Sequence, residues 1–142
     1  MKANTKWRLS GIMNHKDIEE SIRDKFESVR KKFGLFFTPE EIIDIMVQIS
    51  DYKEGKVLEP ACGLGQFLAR IAERIICDEQ EDLVLSDRMV GVEITKEIAD
   101  RVNEYIYSYL SLRRITEYYG EVPVIMEDYL LSKLEPEFEL IT

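Results

Sequence analysis

The chain predicts an α/β domain in which N-terminal helices lead into a parallel sheet with right-handed crossovers. Three observations carry that expectation. Short apolar runs at 56–59, 89–93 and 123–126 each end at or beside an acidic residue. Segments with apolar residues at helical spacing alternate with these runs. The first run opens through Pro60-Ala61-Cys62-Gly63-Leu64-Gly65 straight into an amphipathic segment. That is the local shape of a nucleotide-type seat at the carboxyl end of a parallel strand.

The elements follow in order. A first helix is expected from His15 to Lys32, capped by Asn14, with Ile18, Ile22, Phe26, Val29 and Phe33 as its apolar stripe. Gly34 breaks it. Thr38 reads as the cap of a second helix, with Pro39 at the first helical position and Glu41 closing a capping box. Ile42, Ile43, Ile45, Met46, Val47 and Ile49 form its apolar side. Lys56–Glu59 is the first strand, and Gln66–Cys77 the next helix, with Phe67, Leu68, Ile71, Ile75 and Ile76 turned inward. A surface connection around Leu83-Val84-Leu85 leads to the second strand, Met89–Glu93. A long helix from Lys96 to about Arg114 carries Tyr105, Tyr107 and Tyr109, read as mixed core and interface residues. Pro123–Met126 is a third strand, and Phe138–Ile141 opens a fourth.

With 142 residues the chain holds one domain's worth of core. No apolar run nears the roughly 20 residues of a membrane span, and residues 1–9 lack the apolar stretch of a secretory signal. Cys62 and Cys77 have no histidine partners, so neither a disulfide nor a zinc site is expected. A cytoplasmic location follows. The net charge of −9 is uneven. Residues 1–33 hold nine Lys and Arg against five Asp and Glu, whereas 34–142 hold ten against twenty-three. An acidic body does not attract phosphates, so any grip on nucleic acid lies largely elsewhere. Arg30-Lys31-Lys32 suits a helix C-terminus. His15, the single histidine, reads as a surface residue, and Trp7 lies in an N-terminal arm.

The chemistry gathers at the strand tips. Gly63 and Gly65 let a backbone approach a ligand, beside the unpaired N–H groups of a helix start. Alone, the loop fits a dinucleotide, a nucleotide or an empty turn. Leu68 occupies the place of the third glycine of the dinucleotide fingerprint, and no Lys-Ser/Thr pair marks a phosphate loop. Glu93 ends the second strand, where an acid accepts ribose hydroxyls. Asp128 follows the third strand, where an acceptor takes an adenine amine. Cys62 has no identifiable base nearby and fits the loop by its small size.

These residues resemble the S-adenosylmethionine-dependent adenine-N6 DNA methyltransferases of restriction–modification systems, in particular type I modification subunits and fused type II enzymes. Phe36-Phe37-Thr38-Pro39 is similar to that family's F-T-P motif, and Glu59-Pro60-Ala61-Cys62-Gly63-Leu64-Gly65-Gln66-Phe67 to its D-P-A-C-G-S-G-x-F loop. Gly91-Val92-Glu93-Ile94 and Glu127-Asp128-Tyr129-Leu130 resemble its ribose- and adenine-contacting segments. The likeness spans about residues 30 to 142. It implies a partial Rossmann-like, S-adenosylmethionine-dependent methyltransferase sheet at 34–142, preceded by an arm and helix at 1–33.

By that resemblance the cofactor is S-adenosylmethionine. Phe37, Thr38 and Pro39 would meet its methionine end and Glu59 its amino group. Pro60, Ala61, Cys62, Gly63, Gly65 and Phe67 would form the loop around it. Glu93 would take the ribose hydroxyls, and Ile94 would pack on the adenine. Asp128 would accept the adenine amine, with Tyr129 or Leu130 closing the other face. Glu59 and Leu64 depart from the family's Asp and Ser. The N-P-P-Y/F segment, which polarises the target amine and stacks on a flipped base, belongs just past the fourth strand. The sequence stops at Thr142, so no catalytic residue is assigned, and a fragment inactive by itself is expected. DNA would be met through parts not present here, with no membrane or metal involved. The fourth or first strand, left as a raw sheet edge, would invite self-association. The alternatives are a methyltransferase acting on RNA, protein glutamine or a small molecule, or a non-catalytic nucleotide-binding module.

Overall fold

A computed structural model describes residues 14–25, 37–78, 82–131, 133 and 140–141. Trp7, Arg30-Lys31-Lys32 and the expected second half of the first helix lie outside the described residues. Helix α1 spans His15–Lys25. Asn14 caps it as expected, its Oδ1 accepting the Lys16 N–H at 2.9 Å and its carbonyl the Ile18 N–H at 3.0 Å. Ile18 and Ile22 are its buried apolar residues.

Helix α2 covers Glu40–Ile49, and here the expected capping box is corrected. Pro39, at φ −54° and ψ 141°, is the N-cap, and no side chain caps the helix. The Pro39 carbonyl accepts from Ile42 and Ile43 at 3.0 and 3.1 Å. Pro39 itself holds the extended ψ, so the helix starts one position later than the box requires and Thr38 stands one position too early for its hydroxyl to cap the first turn. The apolar side is also narrower than the sequence predicts. Ile43 is fully buried, whereas Ile42, Ile45, Met46 and Ile49 are 47–77% exposed. The helix packs against its neighbour along one ridge, and the remaining isoleucines point away from it.

Strands β1 (Val57–Glu59), β2 (Met89–Val92), β3 (Val124–Ile125) and β4 (Leu140–Ile141) form one sheet in the order β3-β2-β1-β4. Every pairing is parallel, with Glu59 opposite Gly91, Val92 opposite Ile125 and Leu58 opposite Ile141. β1 therefore lies inside the sheet, and among the described strands the edges are β3 and β4. This corrects the alternative that β1 is a raw edge. All three residues of β1 are buried, as expected of a strand covered on both faces.

Helix α3 (Gln66–Asp78) packs on α2 and on α5 (Val102–Leu112). The predicted single helix from Lys96 to Arg114 is instead α4 (Lys96–Ala99) followed by α5. The break falls at Asp100–Arg101, where Arg101 N–H bonds back three residues to the Ile98 carbonyl at 3.0 Å. This tightened turn keeps Ile98 and Val102 both wholly buried. Leu83-Val84-Leu85 is more than surface connection. Leu85 is wholly buried at the start of a 3-10 turn, Leu85–Asp87, and its N–H reaches the Tyr119 carbonyl at 2.8 Å.

The tyrosines of α5 belong to the core, with Tyr105 at 0%, Tyr107 at 5% and Tyr109 at 3% exposure. The hydroxyls of Tyr107 and Tyr109 bind the chain that follows and the helix beside them. Tyr107 donates to the Gly120 carbonyl at 2.5 Å and accepts the Tyr119 N–H at 3.0 Å, and Tyr109 donates to Glu73 at 2.6 Å. His15 is likewise no surface residue. It is buried, edge-on to the rings of Tyr105 and Tyr109 at 5.5 and 5.6 Å, with Nε2 at 3.1 Å from Glu40 Oε1. Capping geometry at Asn14 places it at the first helical position on the side facing α5, where an aromatic pocket receives it.

Candidate functional site: the acidic strand tips and the glycine loop

The seat begins where β1 ends. Glu59, at its last position, is 6% exposed, and its Oε2 has no hydrogen-bond partner. The carboxyl is pushed well above the usual carboxylate range by burial, and further by the Glu93 carboxylate. The Leu68 backbone N–H, in the first turn of α3, opposes this. Cys62 follows in the loop, where burial and then the Glu59 and Glu93 carboxylates push its thiol up. That environment disfavours a thiolate, in line with a packing role. The Cys62 N–H bonds the Val92 carbonyl at 2.8 Å and fastens the loop to β2.

Glu93 ties the loop down a second time. One carboxylate oxygen accepts the Gly63 N–H at 3.1 Å and the other the Thr95 N–H at 2.8 Å. The acid expected to meet hydroxyls thus also shapes the loop, through one lone pair on each oxygen. Each oxygen has further acceptor capacity. The Glu93 N–H itself bonds the Ile125 carbonyl at 3.0 Å, so the tips of β2 and β3 are joined beside it.

The two loop glycines divide their tasks. Gly63, at φ +52°, has a single neighbour in its Cβ direction, and an added Cβ would stand 4.0 Å from the Phe37 ring edge. Gly65, at φ +82°, faces the helix layer. A Cβ there would stand 2.9 Å from Val102 Cγ1, so its small size serves the packing of α5. The expectation that both glycines admit a ligand is therefore corrected for Gly65 on the Cβ side. Gly91 is a close-approach glycine that the spacing did not single out. A Cβ there would meet Cys62 Sγ at 2.8 Å.

Phe37, Glu59, Cys62, Gly63 and Glu93 are therefore gathered by direct contact or mutual charge. Thr38 is half-buried and next in chain to Phe37, while Pro39 is exposed as the cap of α2. Pro60 and Phe67 are half-buried and Ala61 exposed along the loop. Ile94 is 53% exposed just past Glu93. Asp128 lies three residues beyond the β2–β3 junction, and its Oδ1 accepts the Leu130 N–H at 3.0 Å. It opens a 3-10 turn, Tyr129–Leu131, in which Tyr129 is half-buried and Leu130 is 88% exposed. Its carboxylate is occupied with this local turn and makes no described contact with Glu59 or Glu93.

Sequence reasoning also missed Asn103. It donates to the Val122 carbonyl at 2.9 Å and accepts the Val122 N–H at 2.8 Å, fixing the approach to β3. An asparagine in a helix gives no local signal of a partner 19 residues on. No helix among the described residues is long and apolar enough to cross a membrane. Among the same residues no three His, Cys, Asp or Glu group as metal ligands.

A parallel sheet with two buried acids at adjoining strand tips, over a glycine turn into a helix, is the architecture of α/β domains whose ligand sites lie at the carboxyl ends of the strands. The sequence model of the N-6 DNA Methylase family matches residues 15–103, and the chain belongs to that family. It is 32% identical over 113 residues to the type II methyltransferase M.CvrRI of Paramecium bursaria Chlorella virus XZ-6E, covering 79% of this chain and 24% of that protein. It is 28% identical over 88 residues to the type I restriction enzyme MjaIX methylase subunit of Methanocaldococcus jannaschii, covering 61% and 15%. The chain thus spans a quarter or less of the length of these curated relatives. A solved Listeria monocytogenes protein described as a class I S-adenosylmethionine-dependent methyltransferase shares the fold, with TM-score 0.50, 17% identity and coverage of 91% and 38%.

Proposed function

We propose that this chain is the S-adenosylmethionine-binding portion of a site-specific DNA adenine-N6 methyltransferase of a restriction–modification system. Residues 34–142 form the cofactor-binding half of the methyltransferase domain, and 1–33 an N-terminal arm and helix. The observation that carries the reading is the buried pair Glu59 and Glu93 flanking Gly63, in a chain of the N-6 DNA Methylase family.

The residues fit the cofactor on two physical counts. The unpartnered Glu59 Oε2 is an acceptor awaiting a donor, suited to the cofactor's ammonium. At Gly63 an added Cβ would reach van der Waals contact with Phe37 at 4.0 Å, so the glycine keeps the backbone beside that ring uncovered for a ligand. When bound, the cofactor supplies an electrophilic methyl group on a sulfonium. The chain's own residues bind and orient it. Glu93 holds the loop and offers remaining lone pairs to the ribose hydroxyls, and Phe37 with Thr38 borders the methionine end. Ile94 lies against one face of the adenine, with Tyr129 or Leu130 at the other. Asp128 exchanges its local Leu130 bond for the adenine amine. Pro39, Pro60, Ala61, Cys62 and Phe67 line or support the loop, and Gly65 seats it on α5.

DNA is the substrate of the whole enzyme, met by parts outside this chain, and the location is cytoplasmic. Self-association through the β3 or β4 edge is expected of the chain in isolation. Calorimetric titration with S-adenosylhomocysteine tests the reading: one saturable site supports it, and binding of NAD without the homocysteine compound overturns it. The parent open reading frame, expressed and given labelled S-adenosylmethionine, is expected to place N6-methyladenine in duplex DNA.

A further inference from the structure

Glu59 is the one described carboxyl that is both buried at a strand tip and left with an oxygen lacking any donor. Its neighbour Glu93 differs, because backbone N–H groups from Gly63 and Thr95 meet both of its oxygens. Two carboxylates sharing one desolvated seat repel, and the one with fewer donors gives way. Among the described residues the groups facing Glu59 come from three neighbours of β1. β2 brings Glu93, the loop brings the Cys62 thiol, and α3 brings the Leu68 N–H, which alone favours a charge. β4 stands beside β1 through Leu140 and Ile141, neither of them titratable. The pKa of Glu59 is raised in agreement with this geometry.

We propose that Glu59 is a proton-coupled receptor for the cationic end of the cofactor, neutral in the ligand-free chain and ionised when a ligand ammonium comes against Oε2. The inference rests on the cofactor reading above and adds to it a coupling between occupancy and pH. On binding, the O–H bond of the Glu59 carboxyl breaks, its electron pair stays on the carboxylate oxygen, and the proton leaves to solvent. The ligand's positive charge then takes the place of the proton, so the buried seat keeps the same net charge. A ligand with the same nucleoside but no cation lacks that exchange.

The test is calorimetry of the 142-residue chain in buffers of different ionisation heat, at pH values below the titration of the ligand's own amine. S-adenosylhomocysteine, which keeps the ammonium, is expected to release up to one proton per site. Its affinity is expected to rise by up to about tenfold per pH unit while Glu59 is protonated before binding. 5′-Methylthioadenosine, which lacks the ammonium, is expected to bind without proton release. Glu59→Gln is expected to abolish the release for S-adenosylhomocysteine while circular dichroism shows an intact fold. Saturable binding with buffer-independent heats and flat affinity overturns the inference and leaves the cofactor reading standing, as does proton release that persists in Glu59→Gln. Failure of both ligands to bind at every pH overturns the cofactor reading and the inference with it.

Discussion

Gly63 and Gly65 share a motif and a positive φ, yet their surroundings make opposite predictions for the same substitution. At Gly65 an added methyl meets Val102 Cγ1 at 2.9 Å. Overpacking costs about 1–3 kcal/mol, and left-handed backbone adds about 1–2 kcal/mol for a residue with a Cβ. Gly65→Ala is therefore expected to lower the denaturant midpoint strongly. Gly63→Ala carries only the backbone cost, but its methyl projects toward Phe37, so cofactor affinity is expected to suffer more than stability. Equal losses of stability in the two variants would contradict this division. Glu59 makes a third residue-scale prediction, about pH. Its folded pKa lies above the reference value of 4.5, so the folded chain keeps a proton that the unfolded chain releases above that pH. Stability attributable to Glu59 is thus greatest at low pH and falls as pH rises from about 4.5 toward the folded value. Urea titrations of wild type and Glu59→Gln should show the variant gaining relative stability between pH 4 and pH 8.

At the scale of elements, α5 sets the position of β3 through a single side chain. Asn103→Ala removes both bonds to Val122 and leaves a buried N–H and carbonyl without their partner, at a cost of about 1–3 kcal/mol. Faster amide exchange at Val124 and Ile125 than elsewhere in the sheet is the expected local result. Exchange rising uniformly over all strands would instead mean that Asn103 only adds global stability. The same elements show how far periodicity reaches. The strand–helix alternation and the Asn14 cap were legible, because each depends on spacing or on a neighbour within three residues. Thr38 was misread because Pro39 itself takes the extended conformation of a cap, so the helix begins one position later than a capping box at Thr38 requires. The break at Asp100–Arg101 left no mark in the sequence, as neither glycine nor proline stands there, and it follows from tertiary packing of Ile98 and Val102. The acids at 59 and 93 were visible as strand endings. That one would have backbone donors on both oxygens and the other be left with Oε2 unpartnered depends on the fold of a loop between them.

Across the whole molecule, the acidic seat is held up by a second polar cluster on the helical side, centred on Arg70. Its guanidinium is almost wholly buried, bonds Asp44 Oδ1 at 3.0 Å through Nε, and lies 4.6 Å from the centre of the Tyr109 ring. Glu40 sits 3.7 Å from Nη2 and also 3.1 Å from His15, so one cluster joins α1, α2, α3 and α5. Glu40 directly follows Phe37-Thr38-Pro39, and the cluster therefore fixes the segment that borders Gly63. Removing one partner of a buried ion pair costs about 3–5 kcal/mol. Asp44 is about half exposed and can rehydrate, which puts Arg70→Ala near the lower end of that range. Arg70→Met keeps much of the packing over Tyr109 without the charge and is expected to recover part of the loss. Because α2 carries the Phe37 segment, both variants should weaken S-adenosylhomocysteine binding in step with the disturbance of α2, although Arg70 lies on the helical side of the sheet. Measured stability and affinity moving together through wild type, Met and Ala would establish that link. Lost stability with unchanged affinity would show that the Phe37 segment is held by β1 and the glycine loop alone.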